Sequence, residues 1–228
     1  MNYFYVPEAT ARFYGGYITS LQNAVEYILA QIEIISRNCF EKLKRDPIEN
    51  VKYRIKSPES MAEKLLDHGL EVTAENAVKK VYDAAGVRII TSFLEDVDTV
   101  VSEIKKIKGL QIREEKDYIN NPKQNGYRSY HIICAADFKS DSVFIELQIR
   151  TIAMDTWASV EHRMKYKKSV VGEQLIVNEL KRCADQLASI DLSLQNLRKI
   201  INGGIQNETI ICGGRESDVR SGYGNSSS

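Results

Sequence analysis

Two short segments of this 228-residue chain carry side chains that are suited to chemistry. The first is the stretch 122–131, which reads P-K-Q-N-G-Y-R-S-Y-H. It combines cations, a side-chain amide, a permissive glycine, aromatic rings and an imidazole. A ring presented for stacking on a base contributes about 1–3 kcal/mol in nucleic-acid sites. Taken singly, Tyr127 is more often an ordinary strand tyrosine and His131 a satisfied polar group, but together with Lys123 and Asn125 they indicate a nucleotide site.

The second segment, residues 146–151, reads E-L-Q-I-R-T. Its polar side chains, Glu146, Gln148 and Arg150, alternate with apolar ones, so in a strand all three project from one face. A carboxylate in this position could hold a metal ion.

A second carboxylate, Asp83, begins the run D-A-A-G-V-R and lies where a helix turns into a strand. Taken alone, Asp83 fits a turn-forming aspartate and Glu146 an edge-strand charge. A turn-forming role for Asp83 does not predict Glu146, and an edge-strand charge at Glu146 does not predict Asp83. Two carboxylates with phosphate oxygens match the octahedral, oxygen-only preference of Mg²⁺, so the pair predicts a phosphoryl-transfer centre.

Upstream, cations collect beside the start of a predicted helix. Arg54 and Lys56 precede the N-cap sequence S-P-E-S, and Ser60 and Lys64 lie one turn apart on the helix. A helix N-terminus favours anions, so this region is a candidate triphosphate site. Taken alone, any Arg-x-Lys is more often a solvated charged face.

Hydrophobic periodicity predicts an α+β fold, with a mixed β-sheet flanked by helices and long helices near both termini. Helices are expected at about 17–43, 58–66, 73–82, 95–108, 151–165 and 173–201. Strands are expected at about 87–91, 110–114, 127–138 and 142–151. The predicted division is an N-terminal segment 1–14, one domain 15–202 and a flexible Gly/Ser-rich tail 203–228.

Two of these helices carry apolar residues whose direction can be predicted. In the helix 151–165 we expect Met154, Trp157, Val160 and Met164 to point inward. In the last helix an apolar stripe, interrupted by Asp191, would pack on the domain or on another subunit; its members are Leu180, Ala184, Leu187, Leu194, Leu197 and Ile201.

Composition excludes several classes of function. Lys plus Arg and Asp plus Glu both number 31, so the overall field favours neither membrane nor nonspecific nucleic-acid binding. The cysteines, Cys39, Cys134, Cys183 and Cys212, lack C-x-x-C spacing and suit free thiols. The three histidines have no zinc-site spacing. With no apolar leader or membrane span, the expected location is the cytoplasm.

The order of these pieces resembles the synthetase domain of the RelA/SpoT alarmone family. The matching runs are R-I-K-S-P-E-S, D-A-A-G-V-R, K-D-Y, P-K-Q-N-G-Y-R-S-Y-H, E-L-Q-I-R-T and W-A-S-V-E-H. The resemblance covers roughly residues 15–200 and is strongest to the RelQ-type small alarmone synthetases. It implies a nucleotidyltransferase-like domain that transfers pyrophosphate from ATP to the 3′-hydroxyl of GDP or GTP, giving ppGpp or pppGpp and AMP.

The resemblance also implies a role for each matching residue. Arg54 and Arg88 would sandwich the adenine, and Lys56, Ser60 and Lys64 would bind the ATP phosphates. Asp83 and Glu146 would hold Mg²⁺, with Glu146 also acting as the general base. Tyr127 would stack on guanine, with further acceptor contacts from Lys116, Lys123, Asn125, His131 and Gln148. Trp157, Glu161 and His162 would buttress the site.

Further implications concern assembly and specificity. The resemblance implies a homotetramer, regulation by an alarmone or single-stranded RNA, and synthesis without hydrolysis, since the chain has no run like the family's His-Asp hydrolase motif. Asp67 departs from the pattern, because relatives commonly carry a basic residue one turn beyond Lys64, and an acid there would repel phosphate.

Two other functions share parts of this pattern. One is a toxic relative that transfers pyrophosphate to the 3′ end of tRNA, which the neutral net charge disfavours. The other is a non-catalytic module that binds a nucleotide or RNA, which would not need both Asp83 and Glu146.

Overall fold

The computed structural model describes residues 5–136, 143–165 and 173–203. Its helices are α1 (Glu8–Tyr14), α2 (Ile18–Leu43), α3 (Pro58–Asp67), α4 (Ala74–Lys79), α5 (Leu94–Ile104), α6 (Ile152–Lys165) and α7 (Glu173–Ile201), with a 3₁₀ turn at Gly15–Tyr17. Its strands are β1 (Ile48–Ile55), β2 (Ala85–Thr91), β3 (Leu110–Asp117), β4 (Tyr130–Ala136) and β5 (Val143–Thr151). The predicted tail from 204 onward lies outside the described residues.

The strands form one mixed sheet in the order β1-β2-β5-β4-β3. β2 and β5 run parallel, and the other neighbouring pairs are antiparallel. This confirms the predicted mixed sheet flanked by helices. The sequence did not predict β1, because charged and polar residues separate its apolar ones, as expected of an edge strand that is exposed on one side.

The two faces of the sheet differ in polarity. In β5, Ile145, Leu147 and Ile149 are buried, while the intervening Glu146 and Gln148 face the opposite side. Helices α2 and α5 pack against the sheet and carry most of the remaining core. The polar side chains are therefore collected on the face that α2 and α5 leave uncovered.

Local sequence signals set the ends of several helices, although α4 and α5 end earlier, at Lys79 and Ile104, than the predicted 82 and 108. α2 ends at Leu43, followed by Lys44 in the left-handed conformation. Ser57 caps α3 by accepting a hydrogen bond from Ser60 N at 3.3 Å, with Pro58 in the first turn. Thr73 caps α4 in the same way through Asn76 N at 3.2 Å.

The N-terminal segment is more integrated than the boundary at residue 14 implies. α1 packs against α3 and α4, and Tyr14 is fully buried in the hydrophobic core. The Tyr14 hydroxyl donates to Lys56 O at 3.0 Å, so α1 supports the end of β1.

Helices α6 and α7 pack differently from the prediction. In α6, Met154 and Trp157 are buried, but Val160 and Met164 are 43% and 49% exposed. In α7, Ala184 is buried, whereas Leu194, Leu197 and Ile201 of the predicted stripe are exposed. These three residues therefore do not pack on the domain, and their packing on another subunit stays a prediction.

The face of α7 that meets the domain is largely polar. Asp191 accepts from Thr151 Oγ1 at 2.6 Å, and Gln195 Oε1 accepts from Glu95 N at 3.2 Å. Arg198 Nη1 lies 2.9 Å from Asp96 Oδ1. Specific hydrogen bonds, rather than leucine packing, therefore set which side of α7 faces inward.

Within the described ranges, no helix combines the length and the apolar character needed to cross a membrane.

We predict that the buried Asp96 anchors α7 and the end of α2 to α5. Its Oδ1 lies 2.7 Å from Arg45 Nη2 and 2.9 Å from Arg198 Nη1. Asp96→Ala should lower the free energy of unfolding by about 3 kcal/mol, because it leaves two partly buried guanidinium groups without a counter-charge. Urea unfolding tests this. Lys199→Ala, which removes the exposed pair to Glu95, should change stability by less than about 1 kcal/mol; equal effects would contradict the anchoring role.

Candidate active site

Polar side chains cross the uncovered face of the sheet in rows set by the strand register. The longest row runs from β1 to β3 through Lys52, Arg88, Gln148, His131 and Lys116, which are successive register partners. This register brings together Lys52 and four residues that the sequence placed in four separate motifs.

The neighbouring row joins Arg54, Gly86 and Glu146. Because Gly86 has no side chain, the surface of the sheet is unoccupied between the guanidinium of Arg54 and the carboxylate of Glu146. A cleft of about 190 Å³ occupies this position, and its lining includes Asp83 and Arg88.

Asp83 reaches this cleft from the turn before β2. Its Oδ2 accepts from Lys56 Nζ at 2.7 Å and from Lys64 Nζ at 2.6 Å. The predicted phosphate-binding lysines are therefore paired with the carboxylate in this state. Burial lowers the pKa of Lys56, although Asp83 partly opposes the shift.

The pair of carboxylates fits a divalent cation. Asp83 Oδ1 is buried without a hydrogen-bond partner among the described residues, and an orphaned carboxylate oxygen is a natural metal ligand. Glu146 lines the same cleft. No group of three or more His, Cys, Asp or Glu side chains suited to a metal occurs in the described part of the chain.

Glu146 is held as an ionised group. His131 Nδ1 lies 3.0 Å from its Oε1, and Gln148 Nε2 donates to its Oε2 at 2.7 Å. Burial alone would raise the pKa of Glu146, but these hydrogen bonds and the charges of His131 and Lys64 outweigh burial and lower the pKa to about 2.

The two residues that bond Glu146, His131 and Gln148, are both connected by hydrogen bonds to Arg150. Arg150 is almost fully buried. Arg150 Nη2 donates to Gln148 Oε1 at 2.7 Å and to the Tyr127 hydroxyl at 2.5 Å. The Tyr127 hydroxyl lies 2.8 Å from His131 Nε2. With the His131 proton on Nδ1, two continuous hydrogen-bond chains run from Arg150 to the two oxygens of Glu146.

Asp155 on α6 balances the cations. Its Oδ1 lies 3.0 Å from Arg88 Nη1 and 3.5 Å from Arg150 Nη1, and its Oδ2 lies 3.0 Å from Lys52 Nζ. One buried carboxylate thus orients cations on both sides of Gln148. Arg88 Nε is buried without a partner among the described residues.

The loop before β4 is folded around Gly126. Gly126 has φ of 90° and its N donates to Lys123 O at 2.8 Å. Asn125 uses its amide to hold this loop, because Nδ2 donates to Glu161 Oε1 at 3.1 Å and Oδ1 accepts from Tyr127 N at 3.2 Å. Asn125 therefore shapes the loop in this state, and Glu161 buttresses it as expected.

The ring of Tyr127 already has neighbours. Lys123 Nζ lies 5.1 Å from its centroid and Arg150 Cζ lies 5.0 Å from it. The rings of Tyr118 and Trp157 approach it edge-on. Stacking of a base on the side of the Tyr127 ring that Lys123 occupies would require this exposed side chain to change position.

The remaining predicted residues lie at the periphery of the cleft. Lys116 Nζ pairs with Glu114 Oε1 at 3.1 Å on the exposed edge strand β3, and Ser60 is exposed in the first turn of α3. Asp67 is exposed at the end of the same helix, and His162 is exposed on α6. Trp157 is buried and donates from Nε1 to Leu180 O at 2.7 Å, which ties α6 to α7.

Sequence reasoning did not assign Lys52, Arg150 or Asp155 to the site. The alternation in E-L-Q-I-R-T did place Arg150 on the face of Glu146. Lys52 alternates with Arg54 along β1, and this signal was lost because β1 was not predicted as a strand. Asp155 lies between the inward Met154 and Trp157 of α6, where a charge requires a partner.

Comparison with protein families gives one match over much of the chain. A model described as the region found in RelA / SpoT proteins matches residues 53–171. This stretch begins in β1 and includes the cleft, both carboxylates, the loop before β4 and α6.

Individual relatives extend the similarity. The chain is 40% identical to the GTP pyrophosphokinase YwaC of Bacillus subtilis, over 69% of this chain and 77% of that protein. It is 29% identical to the GTP pyrophosphokinase YjbM of the same organism, over 80% of this chain and 87% of that protein.

Solved structures agree in fold. A crystal structure of the small alarmone synthetase 2 from Bacillus subtilis matches with a TM-score of 0.70 and 38% identity, covering 80% of this chain and 96% of the other. The small alarmone synthetase 1 from the same organism, bound to its product pppGpp, matches with a TM-score of 0.73 and 27% identity, covering 80% and 94%.

We predict that the loop around Gly126 depends on close contact with α7. A Cβ at Gly126 would lie 2.6 Å from Ala184 Cβ, whereas one at Gly109, with a similar φ of 84°, would meet nothing within 4 Å. Gly109→Ala should cost about 1–2 kcal/mol in unfolding free energy, from backbone strain alone. Gly126→Ala should cost about 1–3 kcal/mol more, because of overpacking.

Urea unfolding measures this difference, and hydrogen exchange of residues 123–128 should become faster only in Gly126→Ala. Equal destabilisation by the two substitutions would show that contact with α7 does not hold the loop.

Proposed function

We propose that this chain, which belongs to the RelA/SpoT family, is a GTP pyrophosphokinase that makes ppGpp or pppGpp. In the reaction the 3′-oxygen of GDP or GTP attacks the β-phosphorus of ATP. The bond from the β-phosphorus to the α,β-bridging oxygen breaks, AMP leaves with that oxygen, and Glu146 takes the 3′-hydroxyl proton. The observation that carries the proposal is the carboxylate pair, Asp83 and Glu146, which line one cleft between two groups of cationic and aromatic side chains.

The donor half of the site is the β1–β2 side of the cleft. Arg54 is the register partner of Gly86, so it lies diagonally across from Arg88. Diagonal neighbours in paired strands are about 7–8 Å apart, which leaves room for an adenine ring between two planar guanidinium groups. Asp155 orients Arg88 for this contact at 3.0 Å.

The ATP phosphates would be bound by Lys56, Lys64 and Ser60. Both lysines lie within 2.7 Å of Asp83 Oδ2, so their charges are already held at the cleft. We propose that the oxygens of the incoming phosphates replace Asp83 as the hydrogen-bond acceptors of the two lysine ammonium groups. Asp83 is then left with both oxygens available.

Asp83 and Glu146 would hold Mg²⁺, and the unpartnered Asp83 Oδ1 supports this assignment. When bound, the ion would neutralise the charge that develops on the phosphate oxygens. The contribution of the chain itself is alignment of two nucleotides and compensation of their charge, which is the main source of catalysis in phosphoryl transfer.

The acceptor half is the β5–β4–β3 side of the cleft, with the loop before β4. Tyr127 would stack on guanine after Lys123 leaves its ring. Lys123, released in this way, would be available for the acceptor phosphates together with Lys116. His131, Gln148 and Asn125 complete this half of the site and would contact base, ribose or phosphate.

The low pKa of Glu146 constrains its role as a general base. A carboxylate with a pKa of about 2 is a weak base in the free protein, because an efficient base has a pKa near the working pH. We propose that the 3′-hydroxyl replaces one of the hydrogen bonds from His131 or Gln148. Loss of such a bond would raise the pKa of Glu146 as the acceptor binds.

Assembly and location form a further part of the proposal. Exposed apolar residues in the C-terminal half of α7 would meet equivalent helices in a homotetramer; they include Ile190, Leu192, Leu194, Leu197 and Ile201. Cys39, Cys134 and Cys183 are free thiols, as suits the proposed cytoplasmic location, while Cys212 lies outside the described residues. Regulation by an alarmone or single-stranded RNA stays a prediction from the resemblance.

The first prediction concerns the reaction itself. With γ-labelled ATP, Mg²⁺ and GDP or GTP, label should appear in ppGpp or pppGpp, and separated products would reveal it. Label in added tRNA would instead support the toxic relative, and absence of transfer to any acceptor would support a binding module.

Glu146→Gln should reduce this transfer roughly 10³-fold or more, because glutamine preserves the shape but lacks the charge. Circular dichroism should show an unchanged fold. Glu75→Gln removes an equal charge from an exposed pair on α4 and should retain full activity. Near-normal transfer by Glu146→Gln would refute the role given to this carboxylate.

The second prediction concerns assembly. Light scattering should give a mass near four times the 25.9 kDa of one chain. A double substitution of Leu194 and Leu197 by Glu should give smaller particles, because it places charge in the proposed interface. Val72→Glu, at an exposed position before α4, is the control. A monomer at all concentrations would overturn this part of the proposal.

A further inference from the structure

The backbone immediately before Asp83 is in a conformation that side-chain-bearing residues rarely adopt. Tyr82 has φ of 51°, and Asp83 N donates to Val81 O at 2.7 Å, so residues 81–83 form a γ-turn with positive φ at its centre. This kind of γ-turn is strained, and a bulky residue there is an outlier. Among the described residues other than glycine, only Lys44 at the end of α2 also has positive φ.

The Tyr82 side chain is held by two neighbours. Its ring meets that of Phe144 edge-on, with centroids 4.5 Å apart and an interplanar angle of 69°. Arg113 Cζ lies 4.4 Å from the Tyr82 centroid and 5.1 Å from that of Phe144. Both distances are within the range of a cation–π interaction.

These contacts join the two segments that carry the carboxylates. Tyr82 directly precedes Asp83, and Phe144 lies two residues before Glu146 on the same face of β5. Arg113 lies at a register shift in β3, between Ile112 and Glu114. The three side chains therefore link the Asp83 turn to β5 and to the far edge of the sheet.

We propose that Tyr82, Phe144 and Arg113 form a clamp that positions Asp83 relative to Glu146. Glycine or asparagine would adopt the same turn with less strain, so the ring contacts account for a tyrosine at this position. Strained backbone persists only where its surroundings over-determine it, and it clusters at active sites. The three residues are positioning residues, and the inference rests on the proposed function because it assigns Asp83 a role in transfer.

The test compares Tyr82→Gly, Phe144→Leu and Arg113→Gln. Each should lower kcat, with Tyr82→Gly losing on the order of 10²-fold, because a small displacement of a reacting group has an effect of this size. The KM values for ATP and GDP should stay within about twofold, since these side chains are not assigned to either nucleotide. Thermal unfolding of Tyr82→Gly should stay near that of the unmodified protein, because release of strain offsets the lost ring contact.

A second readout does not depend on turnover. Mn²⁺ titrated into protein with a non-hydrolysable ATP analogue, without acceptor, reports the metal site by electron paramagnetic resonance. The concentration for half-saturation should rise several-fold in Tyr82→Gly and Phe144→Leu. Tyr82→Phe, which retains the ring, should restore both kcat and Mn²⁺ affinity.

Phe93→Leu is the matched control, because Phe93 also lies under a guanidinium group, that of Arg198 at 4.6 Å, but away from the carboxylates. It should change stability without changing kcat. The clamp is overturned if Tyr82→Gly and Phe144→Leu keep normal kcat and Mn²⁺ affinity, or if Phe93→Leu reduces both equally. Failure of the unmodified protein to transfer pyrophosphate would instead refute the proposed function.

Discussion

The site depends on how Arg150 is held beneath Glu146. Arg150 is 3% exposed, and a guanidinium in such a place must be paired and fully hydrogen-bonded. Asp155 supplies part of the counter-charge, at 3.5 Å, and Ser129 Oγ accepts from Nε at 3.3 Å. Nη2 of Arg150 donates to Gln148 and to Tyr127. Gln148 bonds Glu146 directly, and Tyr127 is connected to Glu146 through His131. These contacts keep Glu146 charged in a partly buried cleft.

This constraint explains features that hydrophobic packing alone does not. α6 must turn Asp155 inward, so its buried face is narrow and Val160 and Met164 remain exposed. α7 meets the domain through Asp191, which bonds Thr151 at 2.6 Å, next to Arg150 in sequence. Specific polar contacts fix the position of both helices, and they leave apolar side chains on the outer surface of α7.

The elements that could be predicted from sequence are those in which buried apolar residues recur at the regular spacing of a helix or a strand. α2 has apolar residues on one stripe, and β5 alternates strictly, so both were found with nearly correct limits. β1 was missed because it is an edge strand with charges on its open side, and its loss also hid Lys52. The side of α7 that faces the domain could not be predicted, because hydrophobic periodicity does not indicate that Asp191, Gln195 and Arg198 bond to the domain.

The residues proposed for the site were identified from local motifs, whereas the contacts among them depend on long-range geometry. The motifs themselves named Asp83, Glu146, Tyr127 and His131. No local pattern could show that Lys56 and Lys64 share one oxygen of Asp83. Similarly, the left-handed turn at Tyr82 is not visible in the run K-V-Y-D, because neither neighbour is glycine.

The same geometry couples the two halves of the site. Asp155 contacts Arg88 and Lys52 on the donor side and Arg150 on the acceptor side. On the proposed assignment, a nucleobase stacked on Arg88 would alter the charge distribution around Asp155 and therefore around Arg150. Arg150 in turn donates to Tyr127 and Gln148, the groups that would meet the acceptor. Because buried charges in one network are not independent, occupation of the donor half should change the electrostatic environment of the acceptor half. Such coupling would favour activation of Glu146 when both nucleotides are present.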